Sequence, residues 1–155
     1  MKKFFQLVFA LTLSCCGCSL AQEIPQTILS QEPREIRVYL RAQRFGLYEK
    51  GKLKLEGPVC TGKAGHETPK GSYRILEKAP RRLSSEATKK QGKKVFMPHA
   101  LQFTAGLKSG KGGHFIHTGE VLSKPSSNGC VRLKGEDAKK VFEMLAIKDL
   151  VLILD

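Results

Sequence analysis

The chain has 155 residues, a formal charge of +13, 41% hydrophobic residues, five cysteines and no tryptophan. That length supports one globular domain with a short extension, and 26% charged residues beside ordinary apolar content exclude wholesale disorder, collagen-like repeats and heptad arrays. Outside the N-terminus no apolar stretch approaches the roughly 20 residues of a spanning helix, which excludes a multi-span membrane protein.

Lys2 and Lys3 precede an apolar run from Phe4 to Leu13 and small residues ending Ser19-Leu20-Ala21, the pattern of a secretory signal over residues 1–21. Ser19 and Ala21 favour cleavage before Gln22, which removes three cysteines. Leu13-Ser14-Cys15-Cys16 also resembles a lipobox, which implies a lipid anchor on Cys16 instead, and an uncleaved segment is a third alternative. All three carry the domain across the cytoplasmic membrane, into the periplasm or cell envelope. Residues 22–34 read as a short polar tether and 35–155 as the folded domain. Cleavage leaves a charge of +11 over 134 residues, so the partner is expected to be polyanionic. Export argues against nucleic acid and leaves anionic wall polymer, lipid headgroups or a merely solubilising surface.

From Glu35, Ile36, Val38 and Leu40 alternate with Arg37, Tyr39 and Arg41, the period of a half-buried strand. Phe45 to Tyr48, the turn sequence Glu49-Lys50-Gly51-Lys52 and the alternation of Leu53, Leu55 and Val59 predict a β-hairpin. Thr61 to Gly71 reads as a loop and Ser72 to Leu76 as a strand. The run from Lys78 to Lys94 holds seven basic residues and the single acid Glu86, and reads as a basic lid, a wall-binding arm or a solvated loop. Strands are expected near Ala100 to Thr104 and Gly113 to His117. Glu136 to Leu145 places Ala138, Val141, Phe142 and Leu145 on one helical face with acids in the first turn, and Leu150 to Leu154 reads as a buried strand. The economical architecture is mostly β: a largely antiparallel barrel or sandwich with one packed helix.

Two cysteines remain after cleavage, Cys60 and Cys130, too few for a disulfide framework. No metal site or cofactor is expected, because no Cys-x-x-Cys pair survives and His66, His99, His114 and His117 lack ligand spacing. His114 and His117, three apart in a strand, are expected on opposite sides. The chemistry concentrates in His114-Phe115-Ile116-His117-Thr118-Gly119 and Ser126-Ser127-Asn128-Gly129-Cys130-Val131-Arg132-Leu133. A histidine on a neighbouring strand can convert an exposed cysteine into a thiolate, and the freedom of Gly129 lets its N–H and that of Cys130 converge as an oxyanion hole. The same residues also suit a buried structural cysteine with histidines satisfied on a rim.

Thr61-Gly62-Lys63, Thr68-Pro69-Lys70-Gly71, His117 and Ser127-Asn128-Gly129-Cys130-Val131-Arg132 together resemble the segments of the L,D-transpeptidase catalytic domain family, the YkuD-like proteins. The resemblance spans nearly the whole exported domain and implies a cysteine transpeptidase of peptidoglycan stem peptides. It implies Cys130 as nucleophile, His117 as its base, Thr118 as the residue whose carbonyl orients that imidazole, and Gly129 beside the nucleophile. It further implies Ser127, Asn128 and Arg132 as substrate-binding residues, with His99 on the pocket wall. Arg132 has an internal salt bridge as its other reading, since a guanidinium fork fits a carboxylate of either origin. The family's histidine before Gly-Cys is Asn128 here, and the His117 to Cys130 spacing of 13 residues is short. Three functions are carried forward: transpeptidation, hydrolysis through the same acyl-enzyme as a carboxypeptidase, and a non-enzymatic cationic wall-binding module. The expected form is a monomer.

Overall fold

Residues 33–104 and 113–155 are described in a computed structural model. The expected secretory segment, the lipobox and all but the end of the tether lie outside the described residues. β1 (Arg34–Tyr39), β2 (Arg44–Glu49) and β3 (Lys52–Cys60) form an antiparallel meander, which contains the expected strand and the expected β2–β3 hairpin. β9 (Leu150–Leu154) returns beside β1 in parallel, with Ile36 opposite Val151 and Val38 opposite Ile153. β4 (Gly71–Arg74) pairs antiparallel with the other side of β9. Leu150 to Ile153 are all buried, the mark of a strand covered on both faces, which is why this segment reads as a continuous apolar run.

The last residues of β3 switch partner. Val59 and Cys60 pair with Leu133 and Arg132 of β8 (Val131–Leu133). β8 lies parallel to β7 (Phe115–Thr118), which continues antiparallel through β6 (Phe96–Gln102) to β5 (Glu77–Leu83). The resulting order, β4-β9-β1-β2-β3-β8-β7-β6-β5, is one curled sheet of half-barrel form. Two of its pairings are parallel, a detail that alternation cannot reveal because both ladder types share the period of two.

The expected helix is α2 (Gly135–Met144), which follows a shorter helix, α1 (Ser85–Gln91). Its Glu136 and Asp137 sit at the positive end of the helix dipole. Ala138, Val141 and Leu145 enter one core with Ile36, Leu47, Leu101, Ile116 and Val131. Burying a side chain the size of Leu145 is worth about 1.5–3 kcal/mol, so this face fastens the helix across the sheet.

Two features differ from the alternation pattern and the basic-loop expectation. Glu35, on the side of β1 expected to meet solvent, is 1% exposed. Its carboxylate accepts from Arg37 Nε at 2.8 Å and from Nη2, and the guanidinium lies 3.9 Å over the Tyr48 ring. The basic run, in turn, is ordered as β5 and α1 (Ser85–Gln91). Ser84 caps α1 by accepting from Ala87 N at 3.3 Å, and Gly92 ends it in the left-handed conformation with its N–H on Thr88 O. α1 lacks apolar periodicity, so the sequence pattern gives no helix over this run.

Candidate active site

The segment leading into β8 is held by a clamp of hydrogen bonds from the loop after β3. Thr61 O accepts from the backbone N–H of both Ser126 and Ser127, at 3.0 and 2.9 Å, and Lys63 N donates to Ser127 O at 3.0 Å. Thr68 Oγ accepts from Gly62 N at 2.9 Å and donates to Gly129 O at 2.8 Å. A side chain at Gly62 would put Cβ 2.0 Å from the His66 carbonyl, so only glycine admits this approach. The Thr61-Gly62-Lys63 and Thr68-Pro69 segments are thus the seat of the Cys130 turn. Their role is invisible in the spacing, because it depends on two loops meeting in space.

Within the turn, Ser127 is 1% exposed. Its Oγ donates to Cys130 O at 2.5 Å and accepts from Gly129 N at 3.1 Å. Two expectations change here. Ser127 does not face a substrate, because its hydroxyl is spent inside the turn. Gly129 N–H does not point to an oxyanion site, because it is bonded to that hydroxyl. Gly129 itself has φ +106°, and a Cβ there would lie 2.7 Å from the His114 ring. Asn128, by contrast, is exposed and lines the cleft beside Cys130.

His117 sits on β7 opposite Arg132 in the parallel register and is 8% exposed. Its Nδ1 lies 2.7 Å from Thr118 O. A carbonyl only accepts, so Nδ1 carries the hydrogen and Nε2 keeps its lone pair. Burial pushes the imidazole below its ordinary pKa and the nearby Arg132 charge adds to this, while the Thr118 bond opposes it. His117 is therefore neutral near pH 7. Cys130 precedes Arg132 by two positions, which the strand period places on the same face. The stem of Arg132 crowds Gly119, where a Cβ would come 2.9 Å from Cγ and Cδ. Among the described residues no carboxylate pairs with the guanidinium, so the internal salt bridge is not formed there.

Cys130 and Asn128 open on a cleft of about 240 Å³ walled by Met97, Gly113, His114, Phe115 and the turn Arg82-Leu83-Ser84-Ser85. The basic segment accordingly reaches the site through Arg82, whose guanidinium lies 4.9 Å over Phe115 and pairs with Glu77. His99 does not line this cleft. It has φ +54°, its Nδ1 is 3.0 Å from Thr118 Oγ, and its ring lies 5.7 Å from that of Phe142, which puts it on the side of the sheet that α2 covers. Cys60 is buried with Sγ 3.6 Å from Lys124 O, and Cys60 and Cys130 are both free thiols. His114, which the spacing left without a role, is brought to the cleft by the chain just before β7.

The L,D-transpeptidase catalytic domain model matches residues 33–153. Among solved structures, an L,D-transpeptidase from Mycobacterium smegmatis superposes with a TM-score of 0.69 at 21% identity, over 80% of this chain and 59% of its own. One from Stackebrandtia nassauensis does so with a TM-score of 0.68 at 29% identity, over 81% and 57%. L,D-transpeptidase 3 from Mycobacterium tuberculosis, solved with a faropenem-derived adduct, has a TM-score of 0.68 at 17% identity, over 80% and 61%. The chain thus spans less than two thirds of the length of these structures. No curated protein matches the chain.

Proposed function

Because the chain belongs to the L,D-transpeptidase catalytic domain family, we propose that it is an exported acyltransferase of peptidoglycan stem peptides with Cys130 as nucleophile. The observation that carries this reading is the His117 Nδ1–H···O Thr118 hydrogen bond, which leaves Nε2 as acceptor on β7, the parallel neighbour of the β8 strand that Cys130 directly precedes. In the proposed cycle Nε2 takes the thiol proton and the thiolate attacks the carbonyl between the penultimate residue and the terminal D-amino acid. The imidazolium returns the proton to the departing amine, leaving a thioester on Cys130. The side-chain amine of a second stem then attacks the thioester, gives a proton to His117, and restores the thiol as the new amide forms. Arg132, with no carboxylate partner among the described residues, supplies a planar fork for a substrate carboxylate. Asn128, exposed at the cleft, carries an amide in place of the family's histidine.

The test is mass spectrometry of purified muropeptides incubated with residues 22–155. Joined stems with loss of one terminal residue are expected. Stems shortened without joining identify a hydrolase using the same acyl-enzyme, and unchanged stems with bound sacculi identify a wall-binding module.

A further inference from the structure

The occupied Gly129 N–H raises the question of which other group stabilises the developing oxyanion, and the cleft contains a candidate. His114 lines it with Cys130 and Asn128, and the Cδ2–Nε2 edge of its ring fills the space that a Cβ at Gly129 would take, 2.7 Å from both atoms. The ring is anchored from behind. Thr104 Oγ accepts the His114 backbone N–H at 2.7 Å and lies 2.8 Å from Nδ1, and Phe103 N donates to His114 O at 3.1 Å. In the tautomer whose Nδ1 accepts the Thr104 hydroxyl hydrogen, the same oxygen serves both the backbone N–H and the ring of His114. In that tautomer the ring hydrogen is on Nε2, in the edge that meets Gly129 at the cleft. Burial keeps the ring below its ordinary pKa, so it is a neutral donor near pH 7.

We propose that the Nε2–H of His114 donates to the oxyanion formed when the Cys130 thiolate attacks a substrate carbonyl, taking the place of the Gly129 N–H that Ser127 has captured. The two imidazoles of the site then have opposite polarity. The Thr118 carbonyl makes His117 an acceptor at Nε2, and the Thr104 hydroxyl makes His114 a donor at Nε2. A neutral imidazole polarises a carbonyl without giving up a proton, so no proton is transferred through His114 in either half-reaction.

This inference rests on Cys130 being the nucleophile, and two reactions of the same sulfur test it. Acylation by faropenem, followed by intact mass, passes through an oxyanion, whereas alkylation by iodoacetamide does not. His114→Ala is expected to slow acylation by about 10²–10³-fold, the range for loss of one oxyanion donor, and to leave alkylation within about twofold of wild type. His114→Gln, which keeps an N–H donor, is expected to recover part of the loss. Thr104→Val removes the Nδ1 donor while leaving the ring, and is expected to slow acylation at least tenfold. It serves as the main test if thermal melting shows that His114→Ala does not fold. Unchanged acylation in both variants overturns the proposal, and a parallel fall in alkylation overturns it by making His114 a base for the thiol. If wild type is alkylated at Cys130 but never acylated there, the nucleophile assignment itself fails and this role fails with it.

Discussion

Cys130 and Cys60 are both free thiols, and their surroundings separate them. Cys130 opens on the cleft, while Cys60 is fully buried beneath Lys124 O. Cys130→Ala is expected to abolish the acyl-enzyme mass adduct without changing the melting temperature, whereas Cys60→Ala should keep the adduct and lose about 1 kcal/mol or somewhat more of stability through its small cavity. His117 contributes to the pH dependence, in the same direction as His114. Its lowered pKa means that the unfolded chain binds a proton at this site more readily than the folded one. The stabilising contribution is complete above the ordinary imidazole value of about 6.5 and is lost as pH falls through the lower folded value. Melting temperature should therefore drop on acidification from pH 7 to 5, less steeply in His117→Gln. The acid limb of the acylation rate should lie below about pH 6.5. At Arg132, Lys keeps the charge but not the planar fork. Arg132→Lys should raise KM for a stem peptide by about tenfold or more, and unchanged kinetics would make Arg132 a packing residue over Gly119.

At the scale of elements, the reactive turn depends on a side chain that meets no substrate. Thr68 is 2% exposed and its single hydroxyl serves Gly62 N and Gly129 O. Thr68→Val matches its shape but leaves both backbone groups without that partner, which should cost about 1–3 kcal/mol by denaturant unfolding. The same variant should slow acylation of Cys130 because the turn loses its seat, and Thr68→Ser should restore most of both. β5 and α1 matter for a related reason. The Ser84 cap that starts α1 also walls the cleft, so order at that helix end and the shape of the site are linked. Ser84→Ala is expected to cost about 1 kcal/mol of helix stability.

At the scale of the whole molecule, the excess of positive charge acts over distance. Lys90, Lys93 and Lys94 are exposed around the end of α1, on the segment that reaches the cleft through Arg82. Exposed charges act through a Debye length of about 10 Å at 0.1 M salt. Replacing these three lysines by glutamine should weaken pelleting with intact sacculi at low salt, converge with wild type as salt rises, and leave turnover of a short soluble stem peptide nearly unchanged. Equal pelleting at every salt would reduce the segment to a solubilising surface, and a collapse of peptide turnover would show that it shapes the site.

The sequence by itself determined the strand periods of β1 to β3, the amphipathic α2 and the buried β9, because each is written in local alternation or in a short apolar run. Alternation reports which face of a strand is apolar, so it could not distinguish the parallel β1–β9 and β7–β8 pairings from antiparallel ones. Nor could it show that Glu35 is buried under Arg37, since a charged pair two residues apart reads as a solvent face. Only the tertiary structure decided that Ser127 and Thr68 build the turn before Cys130, that His99 lies on the far side of the sheet and that His114 enters the cleft. Most of those outcomes depend on hydrogen bonds between separate segments, such as Thr68 to Gly129, and such partners leave no periodic trace in the order of residues.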